Sequence, residues 1–299
     1  MEGDGPPSAR QIDPDRTMRW FSRLRAGRGP LVSDVQPPGA VRVEGEDELR
    51  REGSIDRVAV IAHWAPDPRV GRSTRELAAA LLREDYTVLL VSTAEGPEPL
   101  AWIGGRPSRV TVLRRPNIGY DFGSWATALH RYPVVASSPN VLLLNDSLAG
   151  PFQPIEDLLR KFHVSAADVW GLTDTSQFAR HLQSYCLGFK AGILREAPLA
   201  RFWRGIRLER SRDDVIWRYE IGLSRLLDRE RFVSEAAIPY GRVVGEGQNP
   251  TIIGWRRLLD QGFPFVKRQL LRDPHIAPDA PLVRGELQRR YGIDVDEWV

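Results

Sequence analysis

The chain has 299 residues, 42% of them hydrophobic, enough to build one large α/β domain or two small ones around a sizeable core. Its 42 basic and 39 acidic residues are interspersed and leave a formal charge of +3, which excludes a nucleic-acid-binding stripe and suits a phosphate-bearing ligand. The single cysteine, Cys186, excludes an internal disulfide and argues against a thiolate zinc site.

Residues 1–53 are rich in Gly, Pro, Arg and Asp, carry no sustained apolar period, and read as a disordered or loosely packed tail. Inside it, MRWFSRLRAGR sets Trp20, Phe21 and Leu24 among arginines. That pattern fits either a short basic amphipathic helix at an anionic membrane face or a few aromatics packed on the domain. The start lacks a basic and then apolar leader, and no apolar window approaches the roughly 18 residues of a membrane span. The expectation is a cytoplasmic protein, with contact at the inner face of the membrane left open.

Order begins at Arg57. The run RVAVIAH, 57–63, reads as a buried strand, and a proline-rich loop leads to a helix from Ser73, with Ser73 and Glu76 as a capping box and Leu77, Ala80 and Leu81 on its apolar face. Strands are expected at 86–92 and 109–115. After NIGYDFGSW a helix runs to about Arg131, with Asp121 or Ser124 as its cap, and VLLLN, 141–145, is the next strand. A helix carrying Ile155, Leu158, Leu159 and Phe162 follows, then strands at 168–173 and 181–194. Next come a short helix around Leu199, Phe202 and Trp203, and a helix over 213–229 behind a Ser211/Asp214 cap. A strand near RFVSEA and a helix through Ile252, Trp255, Leu258 and Leu259, ended by Gly262, complete the pattern. From Pro274 the chain reads as peripheral, so the expected division is a domain at 54–275 and an extension at 276–299. Continuous apolar strands separated by helices predict an α/β fold with a mostly parallel central sheet covered on both faces.

The chain has no GxGxxG after its first strand, no P-loop and no GxSxG elbow, which leaves dehydrogenase, NTPase and α/β-hydrolase readings without their physical parts. Polar strand ends remain, and ligands of open α/β sheets bind beyond the carboxyl ends of strands. Asn117 and Asp121 flank Gly119 in a turn that can hold a ligand or merely cap the following helix. Asn145, Asp146 and Ser147 end an apolar strand, where a carboxylate can hold a Mn²⁺ or Mg²⁺ that bridges a diphosphate, or can cap local backbone. His181, Gln183 and Ser184 stand at a loop–strand junction able to bind hydroxyls. Glu220, on a helix beside apolar Tyr219, can be a general base or a solvated helix residue. Lys267 and Arg268 follow an apolar pair and can bind phosphate or lie idle at the surface.

AHW, NIGYDFGSW, VLLLNDSLAGPF, DVWGLTD, HLQSYCLGF, YEIGLS, NPTIIGW and PFVKR occur in this order over about residues 57–273. Together they resemble the rhamnan synthesis protein F family, glycosyltransferase-like proteins of bacterial polysaccharide assembly. The resemblance implies a GT-A-like, Rossmann-like domain that moves a sugar, with rhamnose suggested by the family name, from a nucleotide-diphosphate donor such as dTDP-rhamnose. The implied acceptor is a growing polysaccharide or a lipid-linked glycan, and no nucleic acid is involved. It implies donor contacts by His63, Asn117, Gly119, Asp121, Asn145 and Ser147, and acceptor or phosphate contacts by His181, Gln183, Lys267 and Arg268. Glu220 is implied as the base, with Asp174, Asp213 and Asp214 as substitutes, and Asp146 as anchor of a divalent cation or of the diphosphate itself. Asn145-Asp146-Ser147 departs from the Asp-x-Asp metal motif of such enzymes, so a cation would rest on Asp146 with a distant ligand such as His275, or be absent. The second function class is a non-catalytic module that binds nucleotide sugar or glycan. A nucleotidyltransferase is a third, for which APDPRVGR is a poor match to the Gly/Lys/Arg-rich loop that class needs.

Overall fold

The computed structural model describes residues 29–298 except 37, 38, 46 and 52. Trp20, Phe21 and Leu24 lie outside the described residues. Eleven strands are named in chain order: β1 (Arg42–Glu44), β2 (Arg57–His63), β3 (Thr87–Ser92), β4 (Val110–Arg114), β5 (Asn140–Asn145), β6 (Leu148–Ala149), β7 (Val169–Thr175), β8 (His181–Leu182), β9 (Cys186–Lys190), β10 (Ser234–Ile238) and β11 (Val266–Lys267). The central sheet has the order β1-β4-β3-β2-β5-β9-β7-β10, with β8 paired to β7. Strands β4, β3, β2 and β5 pair in parallel, as do β7 and β10. Antiparallel β9 separates those two groups, and antiparallel β1 closes one edge. The sheet is therefore mostly parallel, as the uninterrupted apolar runs predict.

Alternation along the strands divides the interior in two. Ala59, Ile61, Val88, Leu90, Leu142 and Leu144 face the helices Arg72–Arg83 and Glu156–Val164. Val58, Val60, Leu89, Val91, Val141 and Leu143 face the helices Tyr120–Arg131, Ala197–Arg204 and Ile221–Glu230. Both faces are covered, so β2, β3, β4, β5, β7 and β9 are buried along nearly their whole length, which removes the polar alternation a half-exposed strand would show.

Chain direction fixes where a ligand can bind. From β2 the sheet grows outward through β3 to β4, then returns to add β5 on the other side of β2. The crevice beyond the carboxyl ends of β2 and β5 is a topological switch point, and His63 and Asn145 are the last residues of those strands.

Four expectations are corrected. The Ser73/Glu76 capping box does not form: the helix begins at Arg72 behind Gly71, and the Ser73 hydroxyl donates to the Trp298 carbonyl and accepts from the Gly150 amide. Neither Asp121 nor Ser124 caps Tyr120–Arg131. Gly119 stands at its N-cap with φ +75°, while Asp121 receives the Asn145 amide and Ser124 receives Arg115. The described part of residues 29–53 is packed rather than loose. Val32 and Leu49 are buried, and Glu44 accepts hydrogen bonds from the buried Arg114 guanidinium and the Leu100 amide. The chain beyond Pro274 is not peripheral either, because Ala277, Ala280, Val283, Leu287, Val295 and Trp298 form a third apolar cluster with Trp255 and Val266.

Candidate functional site

Two adjoining clefts open at the switch point. The larger, about 1300 Å³, is lined by the end of β2, the loop 64–72, the start of the helix Arg72–Arg83, the Asp146–Ser147 turn and the segment after β11. The smaller, about 160 Å³, lies between the start of the helix Tyr120–Arg131, the β7–β9 connection and the helical turn at Glu220. Ser147, Arg212, Lys267 and Gln269 line both, so the compartments share a wall.

The strand-end turn is braced from three sides. The Asp146 amide donates to the Ala62 carbonyl (3.1 Å), and Asp146 Oδ2 accepts from the Trp64 amide (2.7 Å), locking β5 to β2 just past the sheet. Asn145 is spent internally: its Nδ2 donates to Asp121 Oδ2 (2.7 Å) and its Oδ1 accepts from the Ser147 amide and hydroxyl. Lys267 Nζ donates to Ser147 Oγ (2.9 Å) and Arg268 Nε donates to the Asp146 carbonyl (2.7 Å). β11 delivers these cations because it pairs antiparallel with β6, Lys267 opposite Leu148. The two segments lie 120 residues apart in the sequence, and this short pairing with the flanking hydrogen bonds joins them.

Burial shapes the charges. Asp121 is pushed up to about 6 by burial and by the nearby Asp146 charge, against the opposing hydrogen bond from Asn145. Burial also raises Asp146. Lys267 is pushed down to about 8 by burial, partly offset by Glu220, and its ammonium lies 5.1 Å from the Tyr185 ring centroid. His63, buried and within 3.1 Å of Ser92 Oγ, is pushed down to about 4 by burial and by Arg268 and Arg114, so it is neutral near pH 7.

The smaller cleft holds Glu220. This residue ends a π-helical turn, Ile216–Glu220, inserted between Arg212–Val215 and Ile221–Glu230, and such turns occur often at functional sites. Ser211 caps the first of these segments, its hydroxyl accepting from the Asp214 amide as the sequence predicts. Glu220 Oε1 accepts from the Ser184 amide (2.8 Å) and lies 3.9 Å from His181 Nε2. His181 Nδ1 must donate to the Ala179 carbonyl (2.7 Å), because a carbonyl only accepts, and Nε2 is the nitrogen that faces Glu220. Gln183 is bound by Thr173 and Asn249.

The expected site residues thus separate. His63, Asp146, Ser147, Lys267 and Arg268 line the large cleft, and Asp121, Asn145, Ser147, His181, Gln183, Glu220 and Lys267 the small one. Asn117 is exposed and lines neither, and Gly119 serves the fold: a Cβ there would come within 2.8 Å of Val32 Cγ2. His275 is exposed, with its amide bound to Asp273, and lines neither cleft. What the sequence reading missed are Arg69, Arg72, Arg75, Arg212 and Arg272, which with Lys267 and Arg268 outnumber the cleft's acids Asp67, Glu76, Asp146 and Glu297 and leave it cationic on balance. Their signal, one arginine every third residue through RVGRSTR, becomes meaningful only once that loop is known to face the switch point.

A divalent cation does not fit this donor set. One Asp146 oxygen is held by Trp64 N–H, one Asp121 oxygen by Asn145, and the remaining neighbours are Lys267 and Arg268. Among the described residues no three His, Cys, Asp or Glu side chains come together, so the protein alone offers no cage for a cation. The described residues also contain no helix long and apolar enough to cross a membrane.

Comparison with known proteins bears on this geometry. The family model for rhamnan synthesis protein F matches residues 109–295. Virulence protein VirA of Vibrio anguillarum is 29% identical over 196 residues, covering 54% of this chain and 62% of that protein. Uncharacterized protein y4gN of Sinorhizobium fredii is 31% identical over 121 residues, covering 38% of this chain and 31% of its own. The chain spans less than two thirds of the length of either relative.

Proposed function

Because the chain belongs to the rhamnan synthesis protein F family, whose name places it in polysaccharide biosynthesis, we propose that it is a GT-A-like glycosyltransferase using a nucleotide-diphosphate sugar. The observation that carries this reading is the pair of adjoining clefts at the switch point, one large and cationic, the other small and holding a carboxylate. The diphosphate lies in the large cleft among Arg69, Arg72, Arg212, Lys267 and Arg268, and half-exposed Trp64 offers a ring face to the base or sugar. The acceptor hydroxyl enters the small cleft and gives its proton to Glu220 as it attacks the anomeric carbon. Glu220 suits the role because Ser184 N–H fixes Oε1, while Oε2 takes no hydrogen bond among the described residues. Asp121 and His181 shape this compartment, and rhamnose is the donor sugar the family name favours.

The direct test is a panel of nucleotide sugars, dTDP-rhamnose among them, incubated with the purified protein and a glycan acceptor. Release of nucleoside diphosphate coupled to growth of the acceptor is the expected result. Donor binding without release across the panel would overturn catalysis in favour of a binding module.

The state of Lys267 gives a second expectation. With its value near 8, it carries charge at pH 7 and loses it as pH rises toward 9, and an anionic ligand favours the charged form. Diphosphate affinity should therefore fall by about tenfold between pH 7 and 9, the worth of one charged hydrogen bond. Binding near pH 8 should take up about half a proton, because Lys267 is then half charged in the free protein. Calorimetry in buffers of different ionisation enthalpy checks both, and a flat profile would remove Lys267 from the diphosphate.

A further inference from the structure

We propose that Lys267 and Arg268 do the work of a divalent cation in this protein, forming a fixed cationic clamp on the strand-end turn that binds the diphosphate and stabilises it as it departs. The inference rests on the donor reading above and specifies how that site handles charge.

Placement is the first argument. A metal-using site of this layout would hold its ion beside the turn Asn145–Ser147, and the Lys267 ammonium is already there, 2.9 Å from Ser147 Oγ. Arg268 is tied to the same turn through the Asp146 carbonyl at 2.7 Å. Both side chains line the large cleft, so the charge is presented to a ligand as well as bound to the protein.

Unused donor capacity is the second. An ammonium has three N–H bonds and a guanidinium five. Among the described residues, Lys267 donates one side-chain hydrogen bond and Arg268 only the one from Nε, leaving both Arg268 Nη groups for a ligand. Arg212 and Arg272 extend the same wall. A partly buried lysine is costly to keep charged, and its neighbours Asp121 and Glu220 offset that cost only in part. A dianionic ligand supplies the missing counter-charge.

The carboxylates are the third. Asp146 Oδ2 and Asp121 Oδ2 each already accept from an N–H donor, which leaves fewer free lone pairs for a metal. Asp146 instead works as a strand-end brace between β5 and β2.

The chemistry balances without an ion. The bond from acceptor oxygen to the anomeric carbon forms as the bond from that carbon to the β-phosphate oxygen breaks. The electron pair leaves with the phosphate, and the hydroxyl proton passes to Glu220. The negative charge gained by the departing diphosphate develops against the clamp, where a preorganised cation in a partly dry site stabilises it most.

The test is titration of the full chain, freed of metal with EDTA, with pyrophosphate and with a panel of nucleoside diphosphates. At least one diphosphate should bind in EDTA, and added Mn²⁺ or Mg²⁺ should change its affinity by less than about threefold. Lys267→Met should weaken binding by about tenfold or more and Lys267→Arg should restore most of it, since the clamp needs the charge more than the shape. Binding that appears only with Mn²⁺ or Mg²⁺ would overturn the clamp and leave the donor reading standing. Parent-like binding by folded Lys267→Met would overturn it as well. Absence of binding to every diphosphate, with or without metal, would remove both the clamp and the donor site. Should Lys267→Met fail to fold, the EDTA comparison on the parent chain still decides.

Discussion

Glu220→Gln is expected to lower sugar transfer by about a hundredfold to ten-thousandfold, the usual contribution of general acid–base catalysis, while donor affinity stays within about twofold. The expectation follows from the division of the site. Glu220 lines only the small cleft, whereas the cations that would hold the diphosphate line the large one, Arg212 and Lys267 reaching both. The amide oxygen of Gln can still accept from Ser184 N–H, so the turn keeps its anchor, but no lone pair remains with enough basicity to take the acceptor proton. Steady-state transfer assays together with donor calorimetry separate the outcomes. Transfer at the parent rate would return Glu220 to an ordinary helix position and move the search for the base to Asp174, whose carboxylate holds the Tyr240 amide, or to Asp213 and Asp214.

Removal of residues 1–53 is expected to destabilise the domain severely, with an aggregated product or a melting temperature lower by more than about 10 °C. Val32 and Leu49 are buried, and each should contribute about 1.5–3 kcal/mol. Glu44 faces Arg114, a guanidinium 4% exposed. Without Glu44, Arg114 keeps the carbonyls of Ala94, Gly96 and Glu98 but loses its only countercharge among the ion pairs of the described residues, a loss of the kind that costs about 3–5 kcal/mol when a buried pair is broken. Together these approach the 5–15 kcal/mol that holds a typical domain together. Thermal unfolding of a 54–299 fragment beside the full chain measures it. An unchanged melting temperature would show that the edge strand and the Glu44 pair add nothing.

The central strands were legible because burial on both faces leaves a plain mark, the apolar runs of β2, β3 and β5. The strand-end acids were equally legible, since a run that stops on Asn145-Asp146-Ser147 has no other place to go. Partners across long distances were not. Ser73 looked like a cap because Glu76 stands three residues on, yet its hydroxyl was claimed by a carbonyl 225 residues away. β1 escaped notice because three residues carry no detectable period, and its hold comes from antiparallel pairing with β4 and the Glu44–Arg114 ion pair. The long helix through Glu220 was read as continuous because its inward residues follow a 3.6 repeat on either side of the π turn, and a single widened turn barely disturbs that count. Asn117 lies outside both clefts, and Gly119 and buried Arg115, which holds the Ile118 carbonyl and Ser124, account for the shape of its turn, the structural one of the two readings the sequence left open.

The last described residues bear on how the large cleft comes into being. Its rim includes Arg72 and Glu297, which pair with each other, and the Arg72 guanidinium lies 4.5 Å from the Trp298 ring centroid. Beside them the Ser73 hydroxyl holds the Trp298 carbonyl. One side of this rim is translated 225 residues before the other, so the nascent sheet can assemble from β2 to β5 while the cleft beside it still lacks a wall. Closing so long a loop is paid for late, after the core has formed, and contacts of this kind are the natural first to release when the protein breathes. Amide exchange at the start of the helix Arg72–Arg83 would then report the opening of the site itself, well before the sheet gives way.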